Sequence, residues 1–140
     1  MRKFEAWETR TKTFEFRVGT LESAGNCKEF GDQLWVDIAR IVSIPIEQNA
    51  GVPDGIGGYN YEFQNDDVIA TMFVDDGEPG WPLEKVPAML TAWSTSGTDE
   101  TKELAEKLFD QLVELGNYLV LVFSSDGMPI AANFDIGDDW

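Results

Sequence analysis

Leu104, Leu108, Leu112 and Leu115 recur at steps of four and three residues, Gly116 follows, and Tyr118-Leu119-Val120-Leu121-Val122-Phe123 then runs without a charge. The leucine spacing draws one apolar stripe along a helix, and a glycine just past its end supplies the left-handed residue on which helices commonly stop. A strand apolar on both faces belongs in the middle of a sheet that is covered on each side. The pair predicts a layered fold in which Leu104, Leu108 and Leu112 pack on Leu119, Leu121 and Phe123. Thr98 or Asp99 is placed to cap the helix, with Asp99 and Glu100 near its positive end.

Other segments fit around that frame. Thr13-Phe14-Glu15-Phe16-Arg17-Val18 alternates strictly before Gly19, the pattern of a half-buried strand. From about Ala24 to Ser43, Cys27, Phe30, Leu34, Ile38, Ile41 and Val42 keep helical spacing, Lys28 and Asp32 stand one turn apart on the outer face, and Pro45 marks the end. Ile46 to Gly58 has no periodicity and reads as a long loop. Tyr59, Tyr61 and Phe63 alternate with polar residues, Asn65-Asp66-Asp67 signals a turn, and Val68 to Val74 completes an antiparallel hairpin. Asp75 to Pro82 reads as a second loop, Leu83 to Trp93 as a short helix with Pro87 in its first turn, and Pro129 to Phe134 as a last strand.

The expected fold is α+β: a sandwich of one mostly antiparallel sheet of about five strands with two long helices and one short helix on one face, in the manner of a split β-α-β arrangement. Residues 1–140 are expected to form a single globular domain with a loose acidic tail at about 135–140, although Trp140 can dock.

Charge narrows function more than any motif does. The chain has 10 bases and 26 acids, a formal charge of −16, and no histidine. Residues 1–20 hold five bases (Arg2, Lys3, Arg10, Lys12, Arg17) and three acids, so the remainder carries −18. Between Arg40 and Lys85 there are nine acids (Glu47, Asp54, Glu62, Asp66, Asp67, Asp75, Asp76, Glu78, Glu84) and no base, and from Leu108 to Trp140 six acids stand without a base. Such surfaces repel phosphates and anionic headgroups, so the expectation is no direct nucleic acid and no membrane, and a basic protein partner. The missing histidine removes Ser-His-Asp and Cys-His catalysis and His-ligated zinc. Cys27 is the single cysteine, which excludes an internal disulfide or a Cys-x-x-Cys metal site, and its place in the first long helix reads as a small core residue. The charged start, Met1-Arg2-Lys3-Phe4-Glu5, lacks a secretory apolar region and no run is long enough to span a bilayer, so a cytoplasmic protein is expected.

Three motifs begin and fail. Gly55-Ile56-Gly57-Gly58-Tyr59-Asn60 opens like a dinucleotide-binding turn but leads into a strand pattern, not a helix. Asp75-Asp76-Gly77-Glu78 groups oxygen ligands suited to calcium or magnesium, yet no acid stands at the twelfth loop position, where Val86 lies. Paired carboxylates can serve glycoside hydrolysis, but a chain with 26 acids holds such pairs by chance. No cofactor and no metal ligand are therefore assigned.

What remains is a pair of loops leaving the same end of the hairpin. Together they present Asp54, Tyr59, Asp75, Asp76, Glu78 and Trp81, a mixture of anionic and aromatic groups of the kind that forms interface hot spots, and these are the candidate partner-binding residues. The basic arm around Arg2, Lys3 and Arg10 is expected to pair with the protein's own acids. In size, charge and lack of catalytic residues the chain resembles the small acidic immunity proteins of bacterial toxin systems and phage-encoded DNA mimics, a likeness of general character that no motif carries. It implies a non-catalytic immunity or inhibitor protein that neutralises a basic, nucleic-acid-directed toxin or enzyme by charge mimicry. The alternatives are a structural or assembly accessory subunit, for example phage-encoded, and, third, a carboxylate-based enzyme.

Overall fold

The strict alternation of Phe14, Phe16 and Val18 with Glu15 and Arg17 creates a central strand, β1 (Phe14–Thr20), whose apolar side chains are at most 1% exposed. A computed structural model of the chain describes residues 13–20, 27–43, 51–53, 55, 57–75, 83–125 and 127–137. After β1 come α1 (Cys27–Val42), β2 (Val52–Pro53), β3 (Tyr59–Gln64), β4 (Val68–Val74), a 3-10 turn at Leu83–Lys85, β5 (Ala88–Ser94), α2 (Thr98–Leu115), β6 (Tyr118–Ser124) and β7 (Pro129–Ala132). The strands form one sheet in the order β2-β3-β4-β5-β1-β6-β7, with every neighbouring pair antiparallel. The fold is α+β.

Both helices lie on one side of the sheet, where Leu34, Trp35, Ile38, Leu108 and Leu112 share a core with Phe16, Met72, Leu90, Val120 and Val122. The opposite side carries a smaller cluster of Leu121, Phe123, Ala132 and Ile136, against which Leu83 and Phe134 pack. Ile136 thus ties down the described part of the acidic tail, and residues 138–140 lie outside the described residues. Among the described residues no helix is long and apolar enough to cross a membrane.

The structure corrects the sequence reading in four places. There are seven strands and two α-helices where about five strands and three helices were expected. The segment Leu83 to Trp93 is not a helix: after the 3-10 turn, Pro87 offers no N–H to an intrahelical bond, and from Ala88 onward buried Ala88, Leu90 and Ala92 alternate with half-buried Met89, Thr91 and Trp93. The second extra strand, β2, lies in the supposed loop and pairs only Val52 with Asn60 and Pro53 with Tyr59. On β6 the expected facing was inverted, because Tyr118, Val120 and Val122 meet the helices while Leu121 and Phe123 belong to the opposite cluster.

Caps and ladder ends also depart from the local reading. Gly97, not Thr98 or Asp99, is the N-cap of α2, with no side-chain cap bond. The Thr101 hydroxyl works from inside the helix instead, donating to the Gly97 carbonyl at 2.8 Å and accepting the Ser94 N–H at 3.0 Å. Gly116 ends α2 in the left-handed conformation, φ 76°, as expected. Beyond β7, the Asn133 side chain accepts the Val120 N–H and donates to the Tyr118 carbonyl, both at 2.8 Å, replacing the strand residues that no longer follow β6.

Candidate functional site

Of the six residues expected to bind a partner, Tyr59 and Asp75 are described, while Asp54, Asp76, Glu78 and Trp81 lie outside the described residues, as does the basic arm. Tyr59 pairs with Val74, the residue before Asp75, so Tyr59 and Asp75 stand at the same end of the hairpin. Tyr59 is turned toward α1, where the Lys28 ammonium sits 5.7 Å from its ring centroid. At the other end of the hairpin Asn65 shapes the turn, its side-chain oxygen accepting the N–H groups of Asp67 and Val68 at 2.8 and 2.7 Å, and leaves Asp66 and Asp67 exposed.

The first turns of α1 form a polar network against β3. Lys28 pairs with Asp32 at 2.6 Å, the outer-face pair that the spacing predicts, and Asp32 also accepts the Tyr61 hydroxyl at 2.7 Å. The hydrogen bond to Asp32 raises the Lys28 ammonium above its ordinary value. Gly31 makes the approach of helix to strand possible: a Cβ there would lie 2.6 Å from the Tyr61 hydroxyl, and the Tyr61 ring cannot yield because it is fully buried beside Trp35, 5.5 Å away. Cys27, partly buried against the core, donates to the Gly57 carbonyl at 3.5 Å and fastens the glycine-rich loop to the helix start.

A second carboxylate on α1, Asp37, is only 8% exposed, accepts the Tyr118 hydroxyl of β6 at 2.5 Å, and has the Gln33 amide at 3.4 Å. It opens onto a cleft of about 350 Å³ between α1 and α2, bordered by Arg40, Gln111 and Glu114. Sequence reasoning missed both phenol–carboxylate pairs. One local signal existed, since Asp37 stands within the stripe of Leu34, Ile38 and Ile41, where an acid has to find a buried donor. The two pairs tie α1 to β3 and to β6, so their chemistry holds the helix in place over the sheet.

These pairs make the alkaline limb of stability predictable. Burial first, and then the bond to its carboxylate, holds each of Tyr61 and Tyr118 above the ordinary tyrosine value. The unfolded chain releases those protons near pH 10 and the folded chain keeps them, so the contribution is complete below about pH 10 and is lost as pH rises further. Phenolate absorbance in urea is expected to show all three tyrosines ionising together, while in the native protein Tyr61 and Tyr118 stay neutral until circular dichroism reports unfolding. Ionisation of both at the unfolded value with the fold intact would disprove the pairs.

Another cavity, about 620 Å³, lies over the side of β3, β4 and β5 turned away from the helices, with Val52, Asn60, Glu62, Thr71, Phe73, Met89 and Thr91 around it. The sequence pattern does not assemble this surface, because Leu83 to Trp93 reads as a helix and Met89 and Thr91 belong to that segment. Among the described residues no group of three or more potential ligands is placed to hold a metal ion. Compared with known proteins, the chain matches no family model, no curated protein and no solved structure.

Proposed function

We propose that this chain is a non-catalytic acidic binding protein of the immunity or inhibitor kind, which neutralises a basic, nucleic-acid-directed toxin or enzyme by offering carboxylates where that partner would meet phosphates. The observation that carries this reading is the run from Arg40 to Lys85, with nine acids and no base between them. Within it Glu62, Asp66 and Asp67 are exposed on the β3–β4 hairpin, and Asp75 stands where the second loop departs. Charge of one sign at this density steers a cationic partner inward from a distance, and a few desolvated anchors then hold it. Asp54, Asp75, Asp76 and Glu78 act in the first role and Trp81 in the second, with Tyr59 at the base of the loops.

Affinity capture from the native host, followed by binding measurements on the recovered partner, tests the proposal. A basic partner is expected, with affinity falling steeply between about 50 and 500 mM salt as the Debye length contracts below 10 Å. Asp75→Asn with Asp76→Asn should slow association, and Trp81→Ala should speed dissociation, costing about 2 kcal/mol or more. Equal affinity across that salt range would remove charge mimicry as the mechanism.

A further inference from the structure

We infer that the side of β3, β4 and β5 turned away from the helices is the docking floor for a cationic segment of a partner protein, with arginine or lysine set against Glu62 and aliphatic groups laid on Phe73 and Met89. This rests on the reading of the chain as an acidic binding protein and names the surface that such a protein uses. Antiparallel register aligns Asn60, Phe73 and Met89 in one row and Glu62, Thr71 and Thr91 in the next. Phe73, Met89, Thr71 and Thr91 are half-buried under a cavity of about 620 Å³. On the neighbouring half of the same side, over β6 and β7, the chain's own Leu83, Phe134 and Ile136 cover Leu121 and Phe123, and among the described residues no such cluster covers β3 to β5.

The charges select the occupant. Glu62 is exposed and, among the described residues, has no hydrogen bond or ion pair. Arg17, in the row of Phe73 and Met89, is neutralised by Glu15 at 2.9 Å. A second copy of this chain, at −16, is repelled, and so is a polyphosphate. A segment that carries guanidinium or ammonium groups on aliphatic stems satisfies the acid and covers the apolar row at once.

The test uses the whole chain, labelled with nitrogen-15, and two blocked peptides, one alternating arginine with valine and one alternating glutamate with valine. At low salt the arginine peptide is expected to shift the amides of Asn60, Glu62, Thr71, Phe73, Met89 and Thr91, and the glutamate peptide to shift none. Glu62→Gln should weaken binding about threefold, as for an exposed ion pair. Thr71→Arg, which places bulk and like charge in the middle of the floor, should weaken it about tenfold or more. Glu103→Gln, on the exposed face of α2, should change it less than about twofold. Shifts confined to other surfaces, or equal effects of Glu62→Gln and Glu103→Gln, would overturn this docking floor and leave the acidic-binder reading standing. No shift anywhere with the arginine peptide would overturn that reading as well.

Discussion

Gly19→Ala is expected to be among the most damaging single substitutions in the chain, although it adds one methyl group to a strand. The reason is space. A Cβ at Gly19 would lie 1.7 Å from the Lys85 carbonyl oxygen, 2.8 Å from its carbon and 3.1 Å from the Val86 Cα, all of them main-chain atoms. A side-chain tip can swing aside, but here either the 3-10 turn or the sheet must move. β1 is pinned between β5 and β6, so the turn moves, and it carries with it Leu83 and the entry to β5. Overpacking typically costs about 1–3 kcal/mol, and a clash of backbone on backbone belongs at or beyond the upper end of that range. The urea midpoint should fall accordingly with little change in slope, and an unchanged midpoint would mean that the turn does not rest on β1.

Leu108→Ala should cost about 2–5 kcal/mol, a large part of the 5–15 kcal/mol by which a domain of ordinary stability is held folded. Leu108 is 0% exposed in the layer between α2 and the sheet, with Leu112 and Val120 in the same cluster, so truncation leaves a cavity that the rigid sheet cannot collapse to fill. Leu115→Ala on the same helix provides the contrast. Leu115 is 46% exposed, and its truncation should stay within about 0.5 kcal/mol. Thermal unfolding of the two variants side by side separates these outcomes, and equal losses would show that the helix is rotated from the orientation described.

That contrast shows where sequence reading stops. Leu104, Leu108, Leu112 and Leu115 look alike as a stripe, but Leu108 and Leu112 are buried, Leu104 is partly buried and Leu115 is exposed, and no local pattern marks that difference. β1, α1, the β3–β4 hairpin and α2 are legible because their apolar spacing follows the element's own period, and β6 because a short run apolar on both faces belongs inside a sheet. β5 is not: Leu83, Val86, Leu90 and Trp93 fall at helical steps, while the true alternation of Ala88, Leu90 and Ala92 rests on small side chains that signal burial weakly. The facing of β6 was undetermined for the opposite reason, since a strand apolar throughout reads the same from both sides. The anionic character of the proposed docking surface was plain from charge counts. Its location was not, because Asn60, Glu62, Thr71, Phe73, Met89 and Thr91 become neighbours only through register between three strands. The same holds for Asp37 and Tyr118, which are 81 residues apart.

The position of β1 has a consequence for how the protein is made. The first of the described strands to be synthesised lies inside the sheet, and its two neighbours, β5 and β6, begin at Ala88 and Tyr118. During translation at about 5–20 residues per second, the β3–β4 hairpin can close early around Asn65, but Phe14, Phe16 and Val18 wait for Ala92, Leu90 and Ala88 of β5 and, later still, for Ser124, Val122 and Val120 of β6. Pairing across such sequence distances slows folding, and until then the most apolar strand edges stand open to other chains. A nascent chain halted before β5 therefore holds a formed hairpin and a β1 with both edges unpaired, one halted before β6 still has one of those edges open, and the sheet closes around β1 only when β6 arrives.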